Sequence, residues 1–169
     1  MGAPKILKPR EFKALLRKAT PQTLPAFIFG GFCGLRLGEI QELHWEDVDF
    51  NQNTIMVDKG NNSSSRRLVP LPGAASAWLA PITKESGRVI DSPSLSTLSA
   101  QMLRVWRDSK CPATLHCLRY SAVSYRLSLD GETKTAAEFN FSLKMLIAIF
   151  QKLVTKRQAK AWFAILPPN

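Results

Sequence analysis

Apolar residues recur along most of this chain at helical intervals, and one short stretch carries strand character. "KPREFKALLRKA" predicts a short amphipathic helix, opened by Pro9 and ended before Pro21. "LPAFIFGGFCG" is apolar on every side and predicts a buried helix, and "LRLGEIQEL" predicts the next. "TIMVDK" and "RRLVPL" are rich in β-formers and flank "GNNSSS", which predicts a hairpin with a polar tip. "GAASAWLA" predicts a short helix and "SLSTLSAQMLRVWRDS" a longer one. Three further runs, "ETKTAAEF", "SLKMLIAIFQKLV" and "KRQAKAWFAI", keep the helical period. The expected class is mainly α with one small antiparallel β-sheet (α+β). That pattern alone names no function.

Two helical runs hold residues that the pattern does not explain. In "TLHCLRYSAVSYRLSL", residues 114–129, Leu115, Leu118, Ala122, Val123, Leu127 and Leu129 mark an apolar side. His116 and Arg119 sit within it, one turn apart and therefore on one face. In "SLKMLIAIF", Leu143, Leu146, Ile147 and Phe150 form a stripe at spacings of three, four and seven, which puts Phe150 on the side turned to the protein.

Composition adds a charge. The length of 169 residues suits one domain with a sizeable core, and 45% hydrophobic with 21% charged residues is ordinary for a globular protein. The formal charge of +10 and the pI near 9.9 are not ordinary. The excess is uneven: residues 1–20 carry six basic and one acidic side chain, whereas residues 21–60 carry two basic and six acidic. Such a field attracts polyanions, nucleic acid first, although a basic surface serving only solubility fits the charge equally well. Cys33, Cys111 and Cys117 lack the paired spacing of a zinc site and lie in apolar surroundings, so reduced core cysteines and a cytoplasmic location are expected. Only two histidines, 72 residues apart in sequence, argue against a metal site. No apolar run approaches the ~20 residues of a membrane span, so no membrane role is expected.

Four stretches, taken together and in order, carry a resemblance. "CGLRLGEIQELHWEDVDF" at 33–50 holds Arg36 and, one turn on, Glu39. "VDKGN" followed by "RRLVPL" holds Lys59. "HCLR" holds His116 and Arg119. "KTAAEFNFSLKMLIAIFQKLV" forms the tail. From about residue 6 to the end the chain resembles the catalytic domain of the tyrosine recombinase (phage integrase) family. The resemblance implies that fold, double-stranded DNA as partner, a possible homo-oligomer on DNA, a bacterial or phage-derived source and no cofactor. It implies that Arg36 and Arg119 hold a phosphate, that His116 assists, and that Lys59 protonates the leaving oxygen. Arg66, Arg67 and Lys144 become DNA-contact candidates. The chain is expected to be a single domain over 1–169, without the family's N-terminal DNA-clamping domain.

The family's tail carries a glycine-histidine pair and, about nine residues on, the attacking tyrosine. Here the pair falls on Asn140 and Phe141, and the tyrosine falls on Phe150. Phenylalanine has no hydroxyl and cannot form a phosphotyrosyl bond. Tyr120 and Tyr125 both belong to the His-x-x-Arg helix, and neither is expected to substitute. The expected function is that of an integrase catalytic domain serving DNA integration and recombination of a mobile element, with a degenerate active site. The alternative is a non-catalytic DNA-binding decoy or regulator derived from an integrase.

The chemistry agrees with the implied roles. Attack on a phosphodiester builds negative charge at phosphorus, and arginines grip non-bridging oxygens with paired donors. A histidine can exchange a proton there. Each residue also has a plainer reading. Arg36 can pair with Glu39 on a helix end. His116 can satisfy local backbone. Lys59 can be a hairpin charge that discourages edge pairing, and Arg66 and Arg67 strand-end charges. Phe141 and Phe150 can be core. On the functional reading, Arg36→Ala and Arg119→Ala weaken anion binding without unfolding the domain, and Phe150→Tyr fits with little strain near the two arginines.

Overall fold

The computed structural model describes residues 4–58, 66–111 and 114–169. In chain order the elements are α1 (Pro9–Lys18), α2 (Leu24–Gly31), α3 (Leu37–Glu42), β1 (Val48–Asp49), β2 (Thr54–Val57), β3 (Arg67–Pro70), α4 (Gly73–Leu79), α5 (Leu95–Asp108), α6 (His116–Asp130), α7 (Glu132–Phe139), α8 (Leu143–Phe150) and α9 (Lys156–Phe163). The fold is mainly helical with one small antiparallel sheet, as the periodicity predicts.

The sheet has the order β1-β2-β3, with Val48 opposite Ile55 and Ile55 opposite Val69. These three pairing residues are buried on one face, which fixes the register. The hairpin β2–β3 is the predicted one. Lys59 and the predicted polar tip lie outside the described residues. The strand β1 adds a third member that the pattern did not announce, because two residues are too few to show a period.

α2 is the hub, with Pro25 through Gly31 all buried. Its surroundings explain this, since α1, α3, α4 and α6 all pack on it. An aromatic stack closes the core on the side of α1 and α9. Phe12 lies 4.3 Å from Trp162, and Tyr125 lies 4.4 Å from Trp162, both ring pairs stacked. The buried Tyr125 hydroxyl donates to the Leu7 carbonyl at 2.6 Å, so this tyrosine is committed to the core. Cys33 and Cys117 are buried and Cys111 half-buried, and all three are free thiols.

A second, smaller cluster joins α6, α7 and α8 through Ala122, Val123, Ala136, Phe139, Leu146 and Phe150. The predicted α8 stripe holds for Leu146 and Phe150, which are buried. Leu143 departs from it and is exposed, because it stands in the first helical turn, outside that cluster. α8 also ends at Phe150, short of the predicted run through 154; Lys152 takes φ +59° and the chain turns.

Candidate active site

The segment before α3 turns sharply at Gly34, where φ is +68° and a Cβ would overlap the Phe139 ring. That turn delivers Arg36 to the N-cap of α3. Glu39 then reaches back and accepts the Arg36 backbone N–H at 2.8 Å, while its other oxygen accepts from Arg36 Nη1 at 3.2 Å. Glu39 also accepts two bonds from Arg67 on β3, at 2.8 and 3.0 Å. One carboxylate therefore ties α3 to the sheet. Its side chain is 8% exposed. Burial pushes its pKa up. The Arg67 hydrogen bonds, the Arg36 backbone bond and the two guanidinium charges outweigh burial and bring it down to about 2.

α6 supplies the other half. It begins at His116, so no preceding turn covers the ring. His116 is exposed, contrary to its expected place in an apolar run, while Arg119 one turn later is 9% exposed. Arg119 donates to the Gly34 carbonyl at 2.5 Å and to the Phe139 carbonyl at 2.9 Å. Its guanidinium carbon lies 5.7 Å from the Phe139 ring centroid and 5.4 Å from that of Phe141. Among the described residues no carboxylate forms a salt bridge with it. Burial and the neighbouring Arg36 charge lower its pKa to about 10, with Glu39 opposing and Arg67 adding to the fall. It stays a cation at neutral pH, held directly by two carbonyl dipoles and two ring faces, with the Glu39 charge acting without a salt bridge.

These pieces meet in one cleft of about 570 Å³. Arg36, His116, Arg119, Tyr120 and Phe141 border it, over an apolar floor that includes Leu35, Leu118 and Met102. Four expected site residues, 36, 116, 119 and 141, thus share a wall. Lys59 lies outside the described residues. Phe150 does not border this cleft. It is 1% exposed and packs against Tyr120 at 5.7 Å and Phe141 at 5.5 Å, behind the wall those two rings form. Phe150 borders a second groove instead, with Ser124, Gln151 and Lys152. Arg119 lies over the Phe139 and Phe141 rings, and Phe150 meets that group through Phe141 and Tyr120. We expect Phe150→Tyr to fold, to cost about 1–3 kcal/mol for a hydroxyl pushed into an apolar cluster, and to form no covalent adduct with DNA. Thermal melting and denaturing electrophoresis measure both effects.

The remaining candidates separate. Arg67 is 13% exposed and engaged by Glu39 through both terminal nitrogens. It is turned onto that carboxylate and away from solvent. Arg66 is exposed and bonds Asp58 at 3.0 Å. Lys144 is exposed on α8. Tyr120 was set aside in the sequence, yet its ring lines the cleft, 6.5 Å from the His116 ring. The spacing of one residue after Arg119 was the available signal. Among the described residues no group of three or more His, Cys, Asp or Glu side chains comes together as a metal site, and no helix is long and apolar enough to cross a membrane.

Comparison with known proteins places this geometry. No curated protein matches the sequence. Solved structures match the fold. XerA recombinase superposes with a TM-score of 0.76 at 18% identity, covering 100% of this chain and 66% of that one. The integrase from mycobacterium phage Brujita gives 0.71 at 18%, covering 99% and 60%. A lambda integrase dimer bound to a COC′ core site gives 0.68 at 16%, covering 86% and 60%. The chain thus spans 60–66% of the length of these three. Residues 7–107 match the phage integrase family, from the start of the helical core through most of α5 and up to the segment before His116. With that match over more than half its length, the chain belongs to the phage integrase family.

Proposed function

We propose that this domain grips a backbone phosphate of duplex DNA in the Arg36–His116–Arg119 cleft and that its family position for the nucleophile, Phe150, is silent. The observation that carries the reading is Arg119. The cleft holds a buried guanidinium that forms no salt bridge with any described carboxylate, with Arg36 beside it. A buried cation without a counter-ion is costly, and a phosphate oxygen entering the cleft relieves that cost. Arg36, about half exposed at 45%, is free to swing one donor pair from Glu39 to the ligand. His116 opens α6, so the helix N-terminus adds partial positive charge at the same wall.

The lambda integrase and the Tn1549 transposon integrase are solved in complex with DNA, which supports DNA as the ligand here. The reading extends to a role in integration or recombination of a mobile element, in the cytoplasm, on DNA and in company with further copies, as either a degenerate recombinase domain or a regulator that occupies sites without cutting. A cleaving enzyme is the second reading, favoured by one observation: Tyr120 brings a phenol to the cleft wall.

A fluorescence anisotropy titration of duplex DNA tests the first reading. Log affinity is expected to fall linearly with log salt, with a slope of about −0.9 per phosphate neutralised. Arg36→Ala is expected to weaken binding and make the slope shallower by about one contact. Affinity that ignores salt, or an Arg36→Ala variant indistinguishable from the parent, contradicts it.

A further inference from the structure

The cleft does not account for the charge. Its Arg36 shares Glu39 with Arg67 of the sheet, and the segment around Arg36 is acidic. Three other segments hold the excess: residues 5–18 on and before α1, residues 104–110 at the end of α5, and residues 156–160 of α9. Together they carry twelve basic and two acidic side chains, a difference equal to the whole +10. The rest of the chain carries eleven of each. All twelve are exposed, and none forms a salt bridge among the described residues.

The fold brings these segments together. α1 packs on both α5 and α9. Phe12 of α1 stacks on Trp162 of α9, and the Cys111 thiol just after α5 donates to the Glu11 carbonyl of α1 at 3.6 Å. α1 buries Phe12, Leu15 and Leu16. Its opposite side shows Arg10, Lys13 and Arg17 at spacings of three and four, a single exposed stripe. None of these residues borders the cleft. α2 stands between the two: Ala26 and Gly30 border the cleft, whereas a Cβ on Gly31 would meet Phe12 of α1.

We propose that the outer face of α1, with the adjoining basic ends of α5 and α9, is a second contact surface for the phosphate backbone of duplex DNA, separate from the cleft. The inference rests on the reading that the chain binds duplex DNA and adds where most of the binding energy resides. The stripe from Arg10 to Arg17 runs about 10 Å, along which a duplex presents about six phosphate charges. Flexible exposed lysines and arginines suit a sequence-independent grip. The near-neutral remainder of the chain supplies no comparable field for long-range attraction.

The triple variant Arg10→Gln, Lys13→Gln and Arg17→Gln tests this in the full chain. The salt slope of duplex binding is expected to become shallower by about 2.7, at 0.9 per contact, while inorganic phosphate binding in the cleft and thermal melting stay at parent values. The pair Lys156→Gln and Lys160→Gln, on another helix, is expected to reduce the slope by about 1.8 on the same basis. If both variants keep the parent slope and affinity while Arg36→Ala weakens binding, the second surface is overturned and the cleft reading stands. If the triple variant loses DNA and Arg36→Ala does not, the surface stands and the cleft reading falls. Equal, charge-dependent binding to phosphatidylserine vesicles overturns the assignment to DNA, as does a parent protein that binds no duplex.

Discussion

Arg119→Ala is expected to lower the melting temperature by about 6–12 °C and to remove phosphate binding in the same step. The guanidinium bridges the Gly34 and Phe139 carbonyls and so joins the turn before α3 to the end of α7. Truncation leaves both oxygens without that partner, at about 1–3 kcal/mol each when buried, and a loss near 3 kcal/mol shifts melting by roughly 2–4 °C per kcal/mol in a domain of this size. The structure thus changes the expectation from sequence, in which Arg119→Ala spared the fold. Arg119→Lys separates the two roles. It keeps a cation but cannot span both carbonyls with a planar fork, so it is expected to recover part of the anion affinity and little of the stability. Unchanged melting in Arg119→Ala would show that the two carbonyls do not depend on it.

Glu39→Ala is expected to cost still more, about 3–5 kcal/mol, because it strands Arg67, a mostly buried guanidinium, without its partner. The same carboxylate makes stability depend on pH. Its folded pKa of about 2 lies below the ordinary carboxyl value of 4.5. The stabilisation is therefore complete above about 4.5 and is lost as pH falls toward 2, amounting to about 3 kcal/mol at full strength. Melting curves between pH 6 and pH 2.5 measure it. The parent is expected to lose stability over this range by a margin that Glu39→Gln lacks. Parallel pH profiles for the two would show that the Glu39–Arg67 pair does not couple the arginine loop to the sheet.

Much of the fold was legible because helices longer than two turns write their period into the chain. α1, α5, α6, α7 and the hairpin strands fall within one or two residues of their predicted ends. The three-residue offset of His116 and Arg119 was legible for the same reason. Partners distant in sequence were not. Arg119 finds its acceptors 85 and 20 residues away, and Arg67 finds Glu39 at 28 residues. Nothing in local spacing distinguishes a strand-end arginine facing solvent from one folded onto a carboxylate. Periodicity also placed Phe150 correctly on a buried stripe yet could not say which side of the Tyr120–Phe141 wall its ring occupies.

The central claim is phosphate binding without strand cleavage, because position 150 offers no nucleophile, and a nicked suicide duplex tests it most directly. The parent protein and duplex are mixed once and read twice, by anisotropy for binding and by denaturing electrophoresis for a covalent adduct. Salt-sensitive binding with no adduct is the predicted result. An adduct in the parent that Tyr120→Phe abolishes would contradict it, and would assign the nucleophile to the cleft wall.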